Sequence, residues 1–175
     1  ETLINWNHIQ FNYQVLGNPD LKPESSKGLT FGIEYSNQKT FQISSLIYHN
    51  QFENLIEDYV IEPGKLSYYN INKAYFTGLE TLVKYLVNSN ISIDYNLNVI
   101  NNLNDEGNQI PNTVPLSMGF RFAYQLPIKG YEAAINVKGL SQINSQEYNP
   151  ILGIYTSSKK IDPYAIIDLQ LKYNI

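Results

Sequence analysis

The sequence contains no cysteine, one methionine, one tryptophan and little charge of either sign. Without cysteine there is no disulfide staple, no thiolate nucleophile, and no iron–sulfur or cysteine-zinc site. Only 16% of the 175 residues are charged, against about a quarter in an average soluble domain. The net charge is -4 and Lys and Arg do not cluster, so nothing suggests a nucleic-acid partner. Ala, Glu, Lys and Leu do not dominate, which excludes a coiled coil or helical bundle. Long apolar runs are missing too. Stretches such as Ala165-Ile166-Ile167 fall far short of the roughly 20 residues a membrane-spanning helix needs. A membrane β-barrel stays open, because its strands carry a much weaker signal. Neither an initiator Met nor a secretion signal is present and Glu1 opens directly into a polar, aromatic segment, so a fragment or processed chain is expected. What is abundant is Asn and Tyr, with 22 and 15 copies, in a chain that is 43% apolar. That much apolar and aromatic content at such low net charge excludes disorder. The length suggests one domain.

The dominant period is two. Ile91, Ile93, Tyr95, Leu97 and Val99 alternate with Ser92, Asp94, Asn96 and Asn98. Leu116, Met118, Phe120, Phe122, Tyr124 and Leu126 alternate with Ser117, Gly119, Arg121, Ala123 and Gln125. Successive side chains of a strand point to opposite faces, so each run is a strand with one apolar and one polar side. The same pattern recurs from Leu29 to Tyr35, Leu79 to Val87, Tyr131 to Lys138 and Ala165 to Asn174, with Leu82 and Leu86 as blemishes. Thr40 to Ile56 is β-rich with an unclear phase, which a bulge in its middle would explain. The expectation is seven strands and no helix.

Tight turns are expected at Asn37-Gln38-Lys39, at Asn88-Ser89-Asn90 and at Pro127 to Gly130. Longer connections are expected at Asp58 to Ser67, Asn101 to Pro115 and Asn144 to Lys160. Short and long connections therefore alternate, as do the short periplasmic turns and long outer loops of transmembrane barrels. No residue assigned to the apolar faces is charged. Glu34, Glu80, Lys84, Asp94, Arg121, Glu132, Lys138, Asp168 and Lys172 all fall on the opposite faces. Tyr35, Phe41, Tyr85, Tyr124, Tyr131 and Tyr173 gather near the short-turn end, where an interfacial aromatic girdle would sit. The strands run to about ten residues, the length of a tilted membrane strand. A soluble sandwich or lipocalin-like barrel would also give alternation, but its strands are usually shorter.

The most specific string is Gly17-Asn18-Pro19-Asp20-Leu21-Lys22-Pro23-Glu24-Ser25. It resembles the G-N-P-x-L-K-P-E-x-S signature in the barrel of TonB-dependent outer-membrane receptors. Phe52-Glu53-Asn54-Leu55-Ile56 resembles the F-x-N-L-I segment of that family. Tyr69 to Ala74 with Gly78-Leu79-Glu80 resembles its Y-x-N-x-x-x-A-x-x-x-G-x-E pattern, and Tyr164 to Leu169 resembles a late-strand motif. The pieces occur in the family's order and cover residues 17 to 175. The resemblance implies an all-β, antiparallel up-and-down meander, a segment of a large barrel of the 22-stranded type with a plugged lumen. It implies a bacterial outer-membrane location, a bilayer around the wall and active import of a scarce nutrient. Siderophore-iron, cobalamin, haem and glycans are the classes considered. Energy would come from the TonB–ExbB–ExbD complex acting through the receptor's own plug domain. No plug is present in residues 1–175. We expect residues 1–25 to form outer loop and rim and residues 26–175 to form barrel strands, lacking the last two.

Pro19 and Pro23 fix φ and bias the preceding residues to extended backbone, so residues Gly17 to Ser25 are read as a structural rim turn. Gly78 and Glu80 are read as packing and ion-pairing positions on a lumen face. Glu34, Asp94, Arg121, Lys138, Asp168 and Lys172 are read as further lumen charges. Tyr68, Tyr69, Tyr148 and Tyr155 are candidate ligand-facing loop residues, because Tyr offers an aromatic face and a hydroxyl. Catalysis finds no support. His8 and His49 have no metal-ligand spacing, no nucleophile elbow or phosphate loop occurs, and Glu57-Asp58 reads as a solvated pair. Asp105-Glu106-Gly107-Asn108 lacks the spacing of a calcium loop. No cofactor and no enzyme activity are expected. The competing readings are a smaller self-closed outer-membrane barrel acting as adhesin or surface enzyme, and a soluble carbohydrate-binding β-domain.

Overall fold

The computed structural model describes residues 8–10, 13–37, 39–62, 64–149 and 154–173, and every regular element in them is a strand. Two short strands, β1 (His8–Gln10) and β2 (Tyr13–Val15), come first. The meander then runs through β3 (Ser25–Ser36), β4 (Phe41–Glu62), β5 (Lys65–Asn88), β6 (Ile91–Asn104), β7 (Leu116–Gln125) and β8 (Tyr131–Leu140). After β8 the chain makes a separate hairpin, β9 (Ile143–Asn149) and β10 (Ile154–Ile161), and returns as β11 (Tyr164–Tyr173). β11 pairs antiparallel with β8, so the hairpin is an excursion from the wall. The seven strands read from alternation are β3 to β8 and β11.

Directly opposed residues of an antiparallel ladder share a face. The register runs Ile33↔Ser45↔Thr81↔Leu97↔Met118↔Gly139↔Ala165 across the wall, and Tyr95↔Phe120↔Val137↔Ile167 one level away. The apolar faces of all seven strands therefore form one surface. Large side chains on it stand free, with Leu29 81% and Leu169 79% exposed. An apolar surface of this extent needs a partner. At the short-turn end it is rimmed by aromatic contacts, Tyr35–Phe41 and Phe41–Tyr85 at 6.3 Å and Tyr131–Tyr173 at 4.7 Å.

Asn side chains close two of the short turns. Asn37 Oδ1 accepts from the N–H groups of Lys39, Thr40 and Phe41, and Asn88 Oδ1 from those of Asn90 and Ile91. These are Asx turns, in which a side-chain oxygen replaces a backbone acceptor.

Three expectations change. First, β4 has no bulge in its middle. Its ladders run without a slip from Phe41 to Val60, and the only shift lies between Val60 and Glu62. Composition obscured its phase. Ser45 and His49 lie on the apolar surface, where they hydrogen-bond Thr81 (2.9 Å) and Thr77 (2.7 Å), while Leu46 and Phe52 lie on the charged side. Second, Asp58 to Ser67 is no loop. β4 and β5 continue past the wall until Glu62 opposes Lys65, with Gly64 turning at φ 83°. Third, Asn144 to Lys160 is largely the β9–β10 hairpin, and β6 extends to Asn104 before the loop to Pro115. Two of the three long connections are thus strands prolonged by main-chain pairing, which needs no apolar period to hold.

Candidate functional site

At the end away from the short turns, β5 outruns its neighbour. β6 pairs with it only from Ala74 onward, and β2 occupies the vacated edge in parallel, Gln14↔Lys65 and Val15↔Leu66. From there residues 16–24 cross the β4–β5 hairpin and enter β3, which pairs with the far edge of β4. The proline-rich string is thus a strap. Asn18 Nδ2 donates to Tyr68 O (2.8 Å), and Asn18 Oδ1 accepts from the Asp20 N–H (2.9 Å). Asn70 Oδ1 accepts from the Lys22 N–H, and Asn70 Nδ2 donates to the carbonyls of Lys22 and Asn54. Asn54 holds a left-handed φ of 55°, which Asn tolerates better than most residues, and its Nδ2 donates to Pro23 O. Glu24 Oε2 accepts from the Ile56 N–H (3.0 Å), beyond the point where β3 begins. Leu21 and Val15 are buried beneath.

The β6–β7 loop folds back rather than outward. Ile110 is buried with Leu55 and Ala74, and Phe52, Ile71 and Phe76 pack against that cluster. Asn102 is fully buried and holds the loop, donating through Nδ2 to Ile110 O (3.2 Å) and Thr113 Oγ1 (2.6 Å), while its Oδ1 has no hydrogen-bond partner among the described residues. The Asn112 N–H donates to Asn144 O, and Asn144 Nδ2 to Gln109 Oε1, so this loop also grips the root of β9. In the Asp105 to Asn108 turn, Asn104 Oδ1 accepts from the N–H groups of Glu106 and Asn108.

On the charged face the register brings Asp94 opposite Arg121. From β7, Arg121 reaches three other strands, β6, β8 and β11. Its guanidinium donates to Glu132 Oε1 (2.6 Å), Asn136 Oδ1 (3.1 Å) and Gln170 Oε1 (3.1 Å), and Asp94 Oδ2 lies 3.9 Å away. Glu34 accepts from Gln42 at 3.2 Å. Glu80, Lys138, Asp168 and Lys172 share this face by register, and no salt bridge joins them among the described residues. Closer to the outer end of the same face, Leu46, Tyr48, Phe52, Phe76, Ile100 and Glu80 line an open pocket. The phenol end of Tyr48 lies over Gly78, where an added Cβ would collide with its Cζ and hydroxyl, and Phe52 meets Phe76 edge-on at 5.2 Å. Gly28 and Gly119 likewise lie under Asn50 and Asn96.

Residues 1–175 match the family described as TonB dependent receptor-like, beta-barrel. The chain belongs to this family. Similar solved structures include the copper transporter OprC, at 19% identity and a TM-score of 0.72 over 90% of this chain. The ferric enterobactin receptor PfeA from Pseudomonas aeruginosa, in complex with enterobactin, matches at 21% identity and TM-score 0.71 over 93% of it. The pyoverdine outer membrane receptor FpvA from Pseudomonas aeruginosa PAO1, bound to pyoverdine, matches at 15% and 0.70 over 95%. The chain spans 24%, 25% and 26% of those three chains. No curated protein sequence matches it. Membership and likeness to these long barrels set aside the small self-closed barrel and the soluble carbohydrate-binding domain.

Within this receptor barrel the expected site residues separate. Gly17 to Ser25 form the strap, and Gly78 and Glu80 lie at the aromatic pocket. Tyr68 is tied to the strap through its carbonyl, while Tyr69 is 42% exposed and meets Tyr59 edge-on at 5.7 Å. The backbones of Tyr148 and Tyr155 pair across the β9–β10 hairpin, and their side chains lie outside the described residues, as does that of His8. Glu57-Asp58 is not a solvated loop pair but lies within β4. Burial pushes the Glu57 carboxyl above its ordinary range, with Asp58 and Glu24 adding to the effect. Burial raises the Tyr69 hydroxyl too, followed by the charges of Glu57 and Asp58. Among the described residues, no group of three or more His, Cys, Asp or Glu could hold a metal ion. Asn70, Asn102 and the Tyr48–Phe52–Phe76 group were missed. Asn70 and Phe52 stand in motifs the sequence shows, but the motifs do not record which residues they meet; Asn102 is lost among many asparagines, and the aromatic group straddles two strands.

Proposed function

We propose that this chain is a strip of wall and outer rim from an outer-membrane active-transport receptor. The receptor binds a scarce nutrient (siderophore-iron, cobalamin, haem or a glycan) at its outer end. It imports the nutrient with energy delivered by the TonB–ExbB–ExbD complex through a plug domain in the lumen. The observation that carries this reading is the two-sided wall, with one apolar surface across seven strands that is charge-free from the short-turn end to the level of Leu29, where Glu34, Glu80, Lys84, Asp94, Arg121, Glu132, Lys138, Asp168 and Lys172 all lie on the other side; Lys27, Glu53 and Lys73 share the apolar side only at its far end. A lipid-facing charge costs about 2–4 kcal/mol at the bilayer midplane, whereas a lumen charge meets water or a partner. The charged face is therefore read as lumen, with Arg121 cross-tying strands and Glu34, Glu80, Lys138, Asp168 and Lys172 facing the plug or the ligand path. The strap keeps the outer hairpin in position as a rim element. Tyr69, and Tyr68, Tyr148 and Tyr155 with it, belong to the ligand-facing rim, carried on the prolonged end of β5 and on the β9–β10 hairpin rather than on loops. The chain supplies no covalent chemistry.

Deletion of the full-length receptor gene tests this. Growth should fail when one of the four nutrient classes is scarce, recover when it is plentiful, and recover with the full-length gene restored. Uptake should stop when a protonophore collapses the proton gradient. Unchanged growth on every limiting source, or uptake indifferent to the protonophore, overturns the proposal.

A further inference from the structure

We infer that the charged face carries a ligand subsite for an apolar or aromatic group bearing a positive charge, formed by the pocket of about 480 Å³ around Tyr48, Phe52, Phe76 and Glu80. This rests on the transport reading and names the substrate class it implies. The pocket is out of place where it lies. Around it this face carries mostly Ser44, Asn96, Asn98, Gly119 and charges, the composition of a wetted surface, with Leu82 a single apolar residue opposite Ser44. Leu46, Tyr48, Phe52, Phe76 and Ile100 interrupt that composition on three adjacent strands.

The aromatic groups are positioned in advance. Gly78 lets Tyr48 lie against the wall, and Phe52 and Phe76 lock edge-to-face and lean on the Leu55–Ala74–Ile110 cluster closed by the β6–β7 loop. A preformed pocket loses little side-chain entropy when filled. Its volume lies within the range of about 300–1,000 Å³ seen for small-molecule sites.

Charge decides what fills it. Glu80 enters no salt bridge among the described residues, and the next cation on this face of β5, Lys84, stands opposite Asp94. Further out along β4, Glu57 and Asp58 add negative charge beside Glu24. Aromatic faces attract cations through their quadrupole, and a carboxylate beside them adds direct attraction. An anionic group would meet both with the wrong sign.

The full-length receptor with its plug, purified in detergent, can be titrated with benzyltrimethylammonium, benzyl alcohol and benzenesulfonate by ligand-observed NMR. The cation should bind on the order of tenfold more tightly than the anion. Glu80→Gln, nearly isosteric and on an exposed side chain, should remove most of that preference while leaving benzyl alcohol binding unchanged. Phe76→Ala should weaken all three. Equal binding of cation and anion, a preference that survives Glu80→Gln, or no binding because the plug covers the pocket would each overturn the subsite. The transport reading fails separately, on the growth and protonophore measurements.

Discussion

Asparagine and glycine do most of the local work in this wall. Asn37 and Asn88 close turns, Asn54 accepts a left-handed backbone, Asn70 stitches the strap down, and Asn102 anchors a loop from a fully buried position. Each role uses the same short amide, which carries both donors and an acceptor. The sequence shows the abundance of Asn but not the division of labour, because each partner comes from another strand or turn. Gly78 is the clearest single test. A valine there would drive its side chain into the Tyr48 ring, whereas at Gly32 the nearest atoms stand at ordinary contact, 3.6 and 3.7 Å. Gly78→Val should destabilise the receptor by about 1–3 kcal/mol. Unfolding temperatures from heat-modifiable gel migration can measure this, with Gly32→Val as the mild control and Tyr48→Ser added as the rescuing change. Equal effects at the two glycines would refute the packing argument.

At the scale of elements, strand existence was legible and strand ends were not. The seven wall strands followed from period two, because one side of each meets apolar surroundings and the other does not. The prolonged ends of β4 and β5, the edge strand β2 and the β9–β10 hairpin left no such trace, since no face of them is uniformly apolar. The signature string was legible as a rigid turn, but only the fold makes it a strap across the hairpin. Asn70→Ala removes two hydrogen bonds between strap and hairpin and a third, to Asn54 O, within the hairpin. The expected cost is about 1–3 kcal/mol, local to the outer rim. Limited proteolysis of intact cells should then cut within residues 16–24 faster than in the parent, with the receptor still folded. An unchanged cleavage pattern would mean that the strap is held elsewhere.

At the scale of the whole molecule, the two faces decide the environment. Phe120 lies at the middle of the apolar surface on β7, next in sequence to Arg121 on the charged side. Phe120→Arg should cost about 2–4 kcal/mol and lower the yield of folded receptor in membranes. Phe120→Leu should be tolerated. Equal yields of the two variants would argue against a lipid-facing surface. By itself the sequence determined the class of fold, the orientation of every wall strand except β4, and the family, because alternation and short motifs are local and survive without knowledge of partners. Only the tertiary structure decided how far the strands run beyond the wall, what the strap clamps, and which aromatic groups meet beside Glu80. Those outcomes depend on ladder register between segments far apart in the chain, and no local pattern records register.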